Sequence, residues 1–92
     1  MKTNIKKPKL VSARQMSTEH PDTFYYPEKD ILTIKKGDSV KVCNGKERFW
    51  VTVEEVIDDT VLGTIDNVLV STKSLKLGDL ILFRKEHIYC VW

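Results

Sequence analysis

Arg48-Phe49-Trp50-Val51-Thr52-Val53-Glu54 is the stretch that decides the fold. Successive side chains on a strand point to opposite faces, so Phe49, Val51 and Val53 share one face while Trp50, Thr52 and Glu54 share the other. The first face is wholly apolar and requires a core to cover it. Immediately upstream, Ser39-Val40-Lys41-Val42-Cys43 repeats the alternation. Asn44-Gly45 stands between the two runs and is a strong hairpin signal, because both residues tolerate the positive φ that a type I′ turn requires. Downstream, Asp58-Asp59 is a turn leading into Thr60-Val61-Leu62-Gly63-Thr64-Ile65, with a break at Asp66-Asn67. Gly78-Asp79 then launches Leu80-Ile81-Leu82-Phe83-Arg84, and Ile88 to Trp92 closes the chain. Lys-x-Gly-Asp occurs twice, at Lys35 to Asp38 and Lys76 to Asp79, with unmatched flanks, which indicates shared turn chemistry rather than an internal repeat. Leu69 to Leu75 is the least patterned β-region segment and reads as an exposed loop, where function often sits.

Toward the N-terminus the pattern changes. Ser12-Ala13-Arg14-Gln15 has capping-box spacing, and Pro21 disfavours helix at His20, so a short helix is predicted over Ala13 to Glu19. Pro27 followed by Glu28 and Asp30 suits the start of a second helix running to Ile34, although Ile31 to Ile34 fits a strand equally well. Residues 1–11 read as a flexible basic arm and residues 12–92 as one domain. The expectation is a mainly β fold: a small SH3-like barrel of about five strands with a short N-terminal helix, closed so that it leaves no sticky edges.

Composition bounds the function. With 92 residues, 41% hydrophobic and 30% charged, the chain has room for one ordinary soluble domain. Lys2, Lys6, Lys7, Lys9 and Arg14 lie in a leading segment without acids; the rest carries ten basic and thirteen acidic residues, a net of −3. No stretch resembles a signal peptide or a membrane span, and Cys43 and Cys90 sit in strand-like runs as reduced thiols, which together suggest a cytoplasmic protein. A Cys43–Cys90 bridge across neighbouring strands is the alternative.

Taken together, Glu47-Arg48-Phe49-Trp50-Val51-Thr52-Val53, Gly63-Thr64-Ile65-Asp66-Asn67, Leu75-Lys76-Leu77-Gly78-Asp79 and Glu86-His87-Ile88-Tyr89 resemble the YegJ-like family, a small domain of unknown function in bacteria and some large viruses. The resemblance spans about Pro27 to Trp92. It implies protein-binding roles of the immunity type and supplies no catalytic residues.

The sequence offers little chemistry. His20 and His87 have no second metal ligand at a usual spacing, so no metal or cofactor is expected. His87 sits where it can hold a bend through hydrogen bonds. Neither cysteine has an adjacent base, and no glycine loop could cradle phosphate, so an enzyme is not expected. Aromatics are the better handle. Trp50 has opposite parity to the core face; it is either covered by the N-terminal helix or Phe24-Tyr25-Tyr26, or exposed as a platform with Tyr25, Tyr26, Trp92 and Arg48. Two functions follow. One is a non-catalytic protein-interaction module (inhibitor, immunity-type or adaptor) whose aromatic surface on a mildly acidic barrel meets an unknown, basic partner. The other is a nucleic-acid-binding SH3-like domain using Lys2, Lys6, Lys7, Lys9 and Arg14 with exposed aromatics. The charge around Trp50 discriminates: an acidic rim favours protein, a basic rim nucleic acid.

Overall fold

A computed structural model of the chain describes residues 4–92. Six strands are present: β1 (Ile5–Lys6), β2 (Ser39–Cys43), β3 (Arg48–Ile57), β4 (Thr60–Ile65), β5 (Leu80–Arg84) and β6 (Cys90–Val91). Two helices, α1 (Ala13–Glu19) and α2 (Glu28–Leu32), and one 3-10 turn (Lys85–His87) complete the elements of the described residues. The strands form one mixed sheet in the order β1-β5-β4-β3-β2-β6, parallel only at β1·β5.

The alternation read from the sequence is what folds. Val40, Val42, Phe49, Val51 and Val53 are all fully buried on one face, joined by Val61, Ile65, Ile81 and Phe83. Ile31, Ile34, Leu75 and Ile88 cover that layer from outside the sheet. α2 settles the helix-or-strand ambiguity at Glu28 as a helix: Pro27 precedes it, Glu28 and Asp30 occupy its first turn, and Ile31 faces inward. The Ser12 hydroxyl caps α1 by accepting from the Gln15 N–H at 3.2 Å, whereas the Gln15 side chain turns toward Glu19 instead of reaching back.

Both Lys-x-Gly-Asp segments make the same turn. In each, the aspartate N–H donates to the lysine carbonyl (3.1 and 3.0 Å) and an aspartate oxygen accepts from the lysine N–H (3.0 and 2.9 Å). Gly37 and Gly78 take φ of +96° and +91°, which a side chain would resist.

Three expectations are corrected. The sheet is open rather than a closed barrel, because β1 and β6 lie at opposite edges and do not pair. The leading segment is not simply an arm. Ile5 and Lys6 pair with Leu80 and Ile81, Leu10 packs on the core, and the Val11 N–H donates to the Cys43 carbonyl at 2.8 Å. The β2–β3 connection is a four-residue loop, Asn44 to Glu47, in which Gly45 alone has positive φ; the Asn44 side-chain oxygen organises it by accepting from the Lys46 and Glu47 N–H groups, both at 3.0 Å.

Two features shape the sheet. Opposite Gly63 an extra residue, Glu54, forms a bulge between the pairs Val53↔Gly63 and Glu55↔Leu62, which increases local twist. Gly63 itself lets Val51 and Phe83 close over the strand where a Cβ would intrude.

Candidate functional site

The outward face of β2, β3 and β6 gathers most of the residues with binding chemistry. Register places Lys41 opposite Trp50 and Cys43 opposite Arg48. Lys41 Nζ lies 4.9 Å from the centre of the Trp50 ring. The Arg48 guanidinium stacks over Tyr89 at 5.0 Å and reaches Phe24 at 5.9 Å, while Phe24 meets Tyr89 edge-on at 6.2 Å. Burial is the main reason the Tyr89 hydroxyl is held above its ordinary range, with Arg48 opposing. Beyond Lys41, the Trp92 N–H donates to the Ser39 carbonyl at 2.8 Å, and the residue is 88% exposed. Trp50 and Trp92, with Ser39 and Asp66, line an open cleft of about 330 Å³.

Trp50 is half-buried: Lys41 lies over its ring and the 66–79 loop fastens its backbone. Its N–H donates to the Asn67 side-chain oxygen and its carbonyl accepts from the Asp66 N–H at 2.9 Å. The same loop is tied to the β2–β3 hairpin. The Glu47 carboxylate accepts from the Val70 and Ser71 N–H groups at 2.9 and 2.6 Å, which lowers its pKa, and Asn44 donates to the Thr72 hydroxyl at 2.6 Å. Leu75 anchors the loop in the core, and Val68, Val70 and Leu77 are left exposed.

The other expected binding residues lie elsewhere. Tyr25, 76% exposed, and Tyr26 line a separate cleft with Arg14 and Phe24. The Tyr26 hydroxyl donates to the Lys85 carbonyl and accepts from Arg14, both at 3.2 Å, and this bond raises the Arg14 pKa, assisted by Glu86 and Asp59. Arg14 is thus removed from the other basic residues of its segment. Lys6, Lys7 and Lys9 line a cleft at the β2–β3 hairpin, where sequence reasoning missed their companion Lys46. Lys2 lies outside the described residues.

β3 separates these charges. Its ten residues span about 30 Å, against a longest molecular dimension of 44 Å. The lysine cleft sits at its Arg48 end; Glu54, Glu55, Asp58 and Asp59 sit at its Ile57 end.

His87 holds the final bend, its Nδ1 accepting from the Arg84 N–H at 3.1 Å. Cys43 and Cys90 are free thiols, Cys90 exposed, so the alternative of a bridge between them is not realised. Among the described residues no three His, Cys, Asp or Glu side chains form a group that could hold a metal ion, and no helix is long and apolar enough to cross a membrane. No family model, curated protein or solved structure matches the chain.

Proposed function

We propose that this chain is a non-catalytic domain that binds single-stranded nucleic acid on the outward face of β2, β3 and β6. The observation that carries the reading is the interleaving of cations and aromatics on that face: Lys41 on Trp50, Arg48 on Tyr89 and Phe24, with Trp92 exposed beside them. Lys41 covers the Trp50 ring and Arg48 precedes it by two residues on the same strand face, while Asp66 lines the adjoining cleft. Aromatic rings offer every base a stacking surface, worth about 1–3 kcal/mol per base, while the cations follow the phosphates. Asp66 beside the tryptophan cleft is an acceptor for a base amino group. The lysine end of β3 adds long-range attraction. Kinship with SH3-like folds, membership of the YegJ-like family and a reducing cytoplasmic setting belong to the same proposal.

Tryptophan fluorescence tests it directly. Adding a thymidine oligonucleotide at low salt is expected to quench Trp50 and Trp92 saturably, and affinity should fall as salt rises. Trp50→Ala should weaken binding by roughly 5- to 100-fold. Unchanged fluorescence across the titration sinks the reading.

A protein partner is the second reading, supported by Val68, Val70 and Leu77 exposed together on the 66–79 loop. Recovery of a stoichiometric protein from native extract, lost on Val70→Asp and with no response to oligonucleotide, would put it first.

A further inference from the structure

The cleft at the β2–β3 hairpin has the composition of an anion site. Lys6, Lys7, Pro8 and Lys9 form one wall, Asn44 and Lys46 a second, and Thr72, Ser74 and Leu75 a third, around about 340 Å³. Among the described residues, four lysines line it and no carboxylate does.

The walls are fixed independently of any ligand. Lys6 Nζ is committed, donating to Asp79 Oδ2 and to the Ser74 carbonyl, each at 2.8 Å. Asn44 Nδ2 donates to Thr72 Oγ1 at 2.6 Å, closing the gap between hairpin and loop. The two nearest acids are occupied elsewhere: Glu47 by the Val70 and Ser71 N–H groups, and Asp79 by Lys6 and the Lys76 N–H. Lys7, Lys9 and Lys46 are exposed and have no ion-pair partner among the described residues. Three uncompensated ammonium groups held around one cleft repel one another, and a multiply charged anion would relieve that repulsion while accepting their hydrogen bonds.

We propose that this cleft binds phosphate groups, with Lys7, Lys9 and Lys46 as the charged donors and the Thr72 and Ser74 hydroxyls as neutral ones. The site is separate from the aromatic face and does not need Trp50. Its phosphate comes either from the backbone of a strand seated on that face or from a free phosphorylated small molecule.

The full chain, labelled with 15N, is titrated with pyrophosphate while chloride holds ionic strength constant. Saturable amide shifts confined to residues 6, 7, 9, 44–46 and 72–75 are expected, and Lys9→Gln/Lys46→Gln should weaken binding by about tenfold or more. Amide positions of Phe49 and Val51 report that the double variant remains folded. Shifts that fail to saturate, or that survive the double substitution, overturn the site whatever an oligonucleotide does. A second titration with oligothymidine assigns the source. Cleft shifts that compete with pyrophosphate identify the strand backbone, and their absence beside good pyrophosphate binding identifies a small molecule. Trp50→Ala separates the two readings, since it should weaken tryptophan-face binding and leave the pyrophosphate response intact.

Discussion

At Gly63 the whole sheet depends on a missing methyl group. A Cβ there would overlap Val51 Cγ1 and come within 3.0 Å of the Thr52 carbonyl oxygen, with Phe83 at 3.4 Å on the other side. Backbone cannot step aside as a flexible side chain would. Gly63→Ala is therefore expected to cost about 2–3 kcal/mol, at the upper end of ordinary overpacking, read as a lowered urea midpoint with an unchanged slope. A variant as stable as the parent would show that β3 and β4 can separate at the bulge without loss. His87 governs stability in a different way. Burial lowers its pKa below 6.5, against a smaller opposing pull from Glu86, and its Nδ1 must stay unprotonated to accept from Arg84. Because the native pKa is the depressed one, its contribution is fully present above the unfolded value near 6.5. As pH falls below that value toward the native one, the unfolded chain gains a proton that the native chain resists, and stability falls. His87→Asn keeps a side-chain acceptor but does not titrate. The drop in Tm between about pH 7.5 and 5.5 should thus be shallower in the variant, and equal slopes would remove His87 from the account.

Among the elements, the β2–β3 hairpin shows which structural facts the sequence carried and which it hid. Faces were legible: alternation put Val40, Val42, Phe49, Val51 and Val53 inward, and all are fully buried. Pairing was not. A two-residue turn at Asn44-Gly45 would set Lys41 opposite Arg48; the four-residue loop moves the partner two positions, to Trp50, without changing parity. The cation–aromatic stack that defines the candidate site thus depends on loop length, which Gly45 alone does not specify. The bulge had left a trace, since Val53 and Val56 are three residues apart and a period-two strand cannot bury both on one face without an extra residue. β1 had left none: two residues between Asn4 and Lys7-Pro8 show no alternation, and their pairing with β5 spans most of the chain. Glu47 is the residue that couples hairpin to loop. Glu47→Gln replaces two charged acceptors with one neutral oxygen, so hydrogen exchange at Val70 and Ser71 should quicken by about tenfold, while Phe49 and Val51 keep their protection. Exchange that stays slow at Val70 would mean that Leu75, not Glu47, holds the loop.

Over the whole molecule, the arrangement of charge matters more than its total. A net of +2 would suggest an unremarkable surface, yet Lys6, Lys7, Lys9, Lys46, Lys73 and Lys76 lie on segments meeting at one end of β3, where Glu47 and Asp79 are already engaged. At the far end Glu54, Glu55, Asp58 and Asp59 are partly balanced by Arg14, Arg84 and Lys85. The two ends are about 30 Å apart, roughly three Debye lengths at 0.1 M salt, and hardly attract each other. Repulsion within the lysine end is shorter-ranged and acts on the folded state more than on the expanded one. Screening should accordingly stabilise this protein. Raising sodium chloride from about 0.02 M to 0.3 M is expected to lift Tm by about 2–4 °C, from repulsions of a few tenths of a kcal/mol each in a domain of this size. Lys9→Gln/Lys46→Gln should start from a higher Tm at low salt and gain less on screening. If Tm instead falls with salt in the parent, attractive pairs such as Lys6–Asp79 outweigh the crowding, and the lysine end is balanced rather than poised for an anion.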